Sequence, residues 1–222
     1  KKTTYMVLLA SLTLPLAGCQ TTQNANKESG KAVALSPAEE AFEQAAIKSG
    51  ISNTSLVMLE KKYKRDSQNA SAALAYAKGL RQANYLNRAS LILKPFANNN
   101  APKEGILTEM SMIELAMGNY TTAENYSQKA IVQNPQDYLA YQNLGIALDA
   151  KEMHPEAERA FRKGLEHWKG DPTTIMNNLA LNLATQGFID EAIEVLERAQ
   201  ALSPDRIEIE RNLRIIRTLN ER

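Results

Sequence analysis

Small and apolar residues return along this chain at a fixed interval. Ala89, Ala123, Ala157 and Ala192 are separated by 34, 34 and 35 positions. Three further columns keep that spacing: Ala77, Ser111, Gly145 and Ala180; Tyr76, Met110, Leu144 and Leu179; Phe96, Ala130, Gly164 and Ala199. A period of this length marks a repeat architecture, in which each unit leaves an apolar face that only a neighbour can cover. The extra residue of the last interval falls near Gly170-Asp171, in a turn, where insertion costs little. Pro135, Pro172 and Pro204 close three units, since proline cannot continue a helix. Upstream, Ser36-Pro37-Ala38-Glu39 forms a capping box with proline at the first helical position. It predicts a helix through Ala41, Phe42, Ala45 and Ala46 that stops at Gly50, followed by a second from Ser55 to Lys64. That second helix ends in Lys61-Lys62-Tyr63-Lys64-Arg65, cations that suit a helix C-terminus; a solvated end and a lipid-headgroup contact both remain open. Over 207–222, Ile209, Leu213 and Ile216 form one stripe while Arg211, Arg214 and Arg217 lie elsewhere, which predicts a helix capping the repeats.

The first residues carry a different pattern. Lys1-Lys2, an apolar run from Tyr5 to Leu16 and small residues before Cys19 predict a secretory signal over 1–18. The run is too short to cross a hydrocarbon core of about 30 Å as a helix. Leu16-Ala17-Gly18-Cys19 resembles a bacterial lipobox. The resemblance implies a diacylglyceryl group on the Cys19 thiol, cleavage before it and acylation of the new amine. An ordinary signal peptide with an incidental cysteine is the alternative. Gln20 after the cysteine implies, by the same resemblance, transport to the outer membrane and a place on its periplasmic face. Buried acyl chains contribute about 0.8 kcal/mol per CH₂, so several chains hold firmly where one does not. Residues 19–35 are polar and aperiodic, a flexible tether with a reach of roughly 20–24 Å.

Composition narrows the function classes. Hydrophobic residues make up 44%, enough for a packed core, and aromatics only 6%, which leans helical. With 26 basic residues against 25 acidic, the chain lacks the basic footprint of a general nucleic-acid binder. One Cys and two His cannot build a zinc site alone, so no metal is expected. There is no Gly-rich phosphate loop, His-Glu-x-x-His or Gly-x-Ser-x-Gly, and neither a cofactor nor catalysis is expected. His154 shares a column with Leu86, Tyr120 and Ile189 and is expected to pack within a hairpin. His167 and Trp168 stand beside Gly170 as a local contact or a partner anchor. The Asn-x-Ser/Thr triplets at Asn53, Asn69, Asn119 and Asn125 are chance matches beside a bacterial lipobox.

The period and its residues resemble tetratricopeptide repeats (TPR). Tyr141-Gln142-Asn143-Leu144-Gly145 with Ala157, Phe161 and Leu165 carries the likeness most clearly, with Asn178-Leu179-Ala180, Gly187, Ala192, Ala199 and Pro204. Gly118-Asn119-Tyr120 with Ala123, Tyr126, Ala130 and Pro135 follows. The resemblance implies an all-α, right-handed solenoid of antiparallel helix pairs. Its units fall at 70–103, 104–137, 138–172 and 173–206, after an atypical helix pair at 36–69 and before a capping helix at 207–222. Small residues in the columns let the paired backbones approach, and Tyr141, Leu144, Leu148 and Phe161 fill the seam. In such repeats the first helix of each pair lines a concave groove. The implied groove residues are Gln142, Asn143, Ile146 and Asp149 in one unit and Asn177, Asn178 and Leu181 in the next, changing to Thr108, Glu109 and Met112 in the unit before. Asn143 and Asn178 share a column; contact with a partner and a role general to the repeat both stay open.

Lipobox, tether and helix pairs together resemble the TadD family of tight-adherence (Flp) pilus lipoproteins, best over 138–217 and weakly before 70. That resemblance implies a non-enzymatic adaptor that helps assemble or localise the pilus secretin in the outer membrane. A type IV pilotin, or a scaffold recruiting peptidoglycan hydrolases, shares this architecture. An enzyme hidden in the atypical 36–69 region is the rival of a different class.

Overall fold

The computed structural model describes residues 53–220. The expected signal segment, Cys19, the tether and the helix beginning at Ser36 lie outside the described residues. Those described form ten α-helices: α1 (Asn53–Arg65), α2 (Ala70–Gln82), α3 (Leu86–Ala97), α4 (Ile106–Ala116), α5 (Tyr120–Gln133), α6 (Tyr138–Asp149), α7 (His154–Glu166), α8 (Thr173–Thr185), α9 (Ile189–Leu202) and α10 (Ile207–Asn220). Short turns join antiparallel neighbours, and each helix packs on the next in sequence. The first helices of successive pairs also touch: α2 with α4, α4 with α6, α6 with α8 and α8 with α10. These lateral contacts place the first helices along the inner side of the stack and the second helices outside.

Backbone chemistry repeats with the sequence. At the start of α2, Asn69 Oδ1 accepts the amides of Ser71 and Ala72 at 3.0 and 3.1 Å. At the start of α6, Asp137 Oδ1 accepts that of Ala140 at 3.1 Å. Every first helix from α2 to α8 ends the same way. A residue of positive φ (Asn84, Gly118, Glu152, Gly187) is followed by one whose amide reaches back to the carbonyl five positions earlier. The four bonds are Tyr85 to Leu80, Asn119 to Glu114, Met153 to Leu148 and Phe188 to Leu183, all 2.8–3.0 Å. This is the Schellman closure, and it turns the chain into the second helix of each pair. Pro95 lies inside α3 rather than after it, so the first of these pairs departs from the proline punctuation of the others.

The small-residue columns are where helices meet. Ala77, Ser111 and Ala180, and likewise Ala89, Ala123, Ala157 and Ala192, are fully buried. At Gly145 an added Cβ would overlap the Phe161 ring, and at Gly164 it would come within 2.6 Å of Ile175 Cδ1. Two apolar clusters result. One runs from Leu56 to Ala140 and the other from Leu148 to Ile216, with α6 contributing to both. Helix α10 takes the place of a further first helix, covering the second cluster with Ile209, Leu213 and Ile216.

The inner face as candidate functional site

The residues expected in the groove divide into two sets. The first set is consumed by joints between repeats. Asn143 is buried, and its amide donates to the Thr108 carbonyl of the preceding first helix at 3.3 Å. Its column runs Glu109, Asn143, Asn178, Asn212. Glu109, also buried, accepts from Arg81 Nε of α2 at 2.6 Å, and Asn212 Nδ2 donates to Asn177 Oδ1 at 2.8 Å. Three members of the column therefore reach back one repeat. Of the two roles left open for Asn143, this burial favours the one general to the repeat: its side chain faces the neighbouring helix. The Asn178 side chain, half-buried, shares the column but has no hydrogen bond to another of the described residues.

Asp149 is likewise engaged. Its Oδ1 accepts from Asn182 Nδ2 at 2.7 Å and lies 2.8 Å from His154 Nδ1. Asn182 is fully buried and also donates to the His154 carbonyl at 3.1 Å. His154 thus serves the hairpin, as expected, through a polar contact to Asp149. Sequence reasoning passed over Asn182, which sits one position beyond Leu181 and had no polar neighbour in sequence to single it out.

The second set faces outward. Ile146 is half-buried and Leu181 is 39% exposed. Extending their column by the same period gives Lys78, Met112, Ile146, Leu181 and Ile215. Met112 is half-buried and Ile215 is 51% exposed, so an apolar stripe crosses four successive inner helices from α4 to α10 with Lys78 at its head. Beside it, Gln142 Oε1 is buried without a hydrogen-bond partner. Near the start of α4 and α6 a recess of about 250 Å³ opens onto the same face, lined by Lys78, Thr108, Met112, Tyr138, Leu139 and Lys169. Met112 and Ile215 could have been found from sequence by carrying the Ile146 column through every unit. Trp168 is held by Tyr138, ring centroids 4.5 Å apart, and His167 by Tyr141 at 6.0 Å. Both read as local contacts at the close of α7.

Among the described residues no group of three or more His, Cys, Asp or Glu side chains converges as a metal site. No helix among them is long and apolar enough to cross a membrane.

Residues 173–202 match the tetratricopeptide repeat family. No curated protein matches the chain by sequence. Among solved structures, a thermophilic TPR protein of Thermus thermophilus superposes with a TM-score of 0.66 at 17% identity, over 80% of this chain and 98% of that one. MamA of Desulfovibrio magneticus RS-1 gives 0.59 at 16% identity, over 78% of this chain and 99% of the other. YrrB, a TPR protein with an unusual peptide-binding site, gives 0.56 at 18% identity, over 78% and 84%. At these identities the likeness speaks for the fold alone, and with the repeat match and the stacked hairpins it identifies an all-α tetratricopeptide-repeat solenoid.

Proposed function

We propose that this chain is a non-enzymatic adaptor that holds a segment of another polypeptide along its inner face while acyl chains on Cys19 keep it at the periplasmic face of the outer membrane. The observation that carries the reading is the stripe Met112, Ile146, Leu181 and Ile215, apolar side chains presented once per repeat on the side where the first helices line up. Adjacent packed helices stand about 8–10 Å apart, so the stripe offers evenly spaced contacts that an elongated segment can follow. Asn178 lies next to it, half-buried, with side-chain hydrogen-bonding capacity to spare. Nothing in this arrangement calls for catalysis, since His154, Asp149 and Glu109 are spent on contacts within the protein.

The likeness to tight-adherence pilus lipoproteins supports the secretin of that system, or another pilus assembly component, as the partner. The test is recovery of partners from outer membranes with the lipidated chain. A Leu181→Ser, Ile215→Ser double variant is expected to lose the partner about tenfold with an unchanged melting temperature, because both side chains are exposed. Asn143→Ala is expected to lower stability instead. Equal recovery by the double variant would exclude the inner face. Recovery of a peptidoglycan hydrolase instead of a pilus component would move the assignment to the alternative scaffold. Cys19→Ser is expected to release the chain from the membrane fraction without weakening partner binding in solution.

A further inference from the structure

The connections between successive helix pairs differ in length. Those at 134–137 and 203–206 take four residues, the one at 167–172 takes six and the one at 98–105 takes eight. Residues inserted into a repeat gather in loops on one face, often the face that binds. Both longer connections here border a recess between consecutive second helices, about 640 Å³ between α3 and α5 and about 410 Å³ between α7 and α9. The larger is edged by Asn98, Asn99, Asn100, Asn125 and Gln128, exposed amides that water satisfies. The smaller has a more selective lining. Its connection carries the extra residue that breaks the repeat period near Gly170-Asp171, and two periods after Asn100 it places Trp168.

The floor of this recess is apolar. Leu165 comes from α7, Met176 and Leu179 from α8 and Val195 from α9, the last three buried in the core. Leu202 forms an exposed lip at the end of α9. Trp168 is supplied by the connection. Tyr138 holds its ring, centroids 4.5 Å apart, so the indole is fixed before anything binds. Its Nε1 is buried and has no acceptor among the described residues. An indole N–H only donates, and a buried donor is costly to leave unpaired. An apolar ligand that brings one acceptor supplies what this wall lacks.

Charge narrows the ligand further. Four charged residues line the recess, two of each sign. Arg162 is taken by Glu191 at 2.7 Å and by Glu158 at 2.9 Å. Glu194 and Arg198 stand exposed beside that pair. An acyl chain ending in a carboxylate would set its charge among Glu191 and Glu194 as much as beside Arg198, with no net gain. An uncharged residue within a polypeptide meets both requirements, with an apolar side chain for the floor and a main-chain carbonyl for the indole. We propose that the recess between α7 and α9 is a second docking site, on the outer side of the stack. There Trp168 Nε1–H donates to the main chain of a partner polypeptide, and Met176, Leu179 and Val195 receive its leucine or phenylalanine side chain. The site is separate from the inner face and stands whether or not that face binds.

The site carries its own reporter, since Trp168 is the chain's only tryptophan. The full chain is titrated with N-acetyl-leucinamide, N-acetyl-phenylalaninamide, N-acetyl-glycinamide and octanoate. Tryptophan emission and the indole N–H resonance are followed together, with the Met176 methyl resonance as a second reporter. The leucine and phenylalanine probes are expected to give saturable changes, with the indole proton moving downfield as it gains an acceptor. The glycine probe, which has the same carbonyls and no side chain, is expected to give none. No saturation with either apolar probe overturns the proposal, as does an equal response to the glycine probe. Saturation with octanoate alone gives the recess to an acyl chain and also overturns it.

Two variants separate the donor from the apolar surface. Trp168→Phe keeps an aromatic ring and removes the N–H; read from the Met176 methyl, it is expected to bind the leucine probe about fivefold more weakly. Leu202→Ser, at the exposed lip, is expected to weaken binding about threefold with an unchanged melting temperature. If both variants bind as tightly as the parent chain, the proposal falls. The Leu181→Ser, Ile215→Ser variant of the inner face is expected to bind the probes unchanged. Loss of probe binding in that variant would place the probes on the inner face and overturn the outer site, whereas a failure of the inner face to hold its partner leaves these titrations unaffected.

Discussion

Tyr76 is buried, and its hydroxyl meets no acceptor. Its ring stacks on Tyr63 at 5.7 Å and lies under the Arg88 guanidinium at 5.4 Å, so packing holds it where hydrogen bonding does not. Tyr76→Phe keeps those contacts and removes the buried dipole; urea unfolding is expected to show a gain of about 1 kcal/mol. Burial also pushes the Tyr76 hydroxyl above the usual tyrosine range. A raised value means stability that is intact below the unfolded tyrosine value, about pH 10, and is lost as pH climbs through the folded one. The Phe variant is expected to lose less at alkaline pH. Gly145 makes the opposite case. With the Phe161 ring against its Cα, Gly145→Ala forces ring or backbone aside and is expected to cost about 1–3 kcal/mol in the same measurement. The glycine was legible as one member of a small-residue column. The unsatisfied hydroxyl was not, because no sequence pattern says where an acceptor is missing.

Helices were the most legible level of this protein, because their small residues and closing turns recur at one interval. The assignment of side chains to faces was not. Successive residues on a helix turn by about 100°, so Gln142, Asn143 and Ile146 look alike in a repeat alignment yet meet different surroundings. Asn143 belongs to the joint between α6 and α4, Ile146 to the open inner face. Removing the buried amide gives up its hydrogen bond to the Thr108 carbonyl, so Asn143→Ala is expected to cost about 1 kcal/mol, read as a lower denaturation midpoint with the m-value retained. Helix α4 shows the same ambiguity in stronger form. Thr108, Glu109, Ser111 and Glu114 would read as a solvated side, yet all four are buried. Their partners come from other helices or the turns before them: Asp137 for Thr108, Arg81 for Glu109, Ser127 for Ser111 and Ser90 for Glu114. Those pairings depend on chain separations of 16–29 residues that only the assembled stack brings together.

At α10 one of the small-residue columns changes character. The position that is Ala77, Ser111, Gly145 and Ala180 in the repeats becomes Arg214. Arg214 stands exposed with Glu210 and Arg217 around a hollow. Deleting 207–222 would uncover the cluster around Leu179 and Leu183, and the truncated chain is expected to lose protection from hydrogen exchange first in α8 and α9, with α2 to α5 retaining theirs. The buried side of α10 was legible from the stripe of Ile209, Leu213 and Ile216; the change at Arg214 required knowing which column lay against a partner helix. The amide and carboxylate joints, Glu109 to Arg81, Asn143 to Thr108 and Asn212 to Asn177, are all borne by first helices. They line the inner side, while Arg88 to Glu60 and Arg162 to Glu191 join successive second helices on the outer side. The stack is therefore stitched along both of its faces, and flexing it either way pulls on one row of stitches.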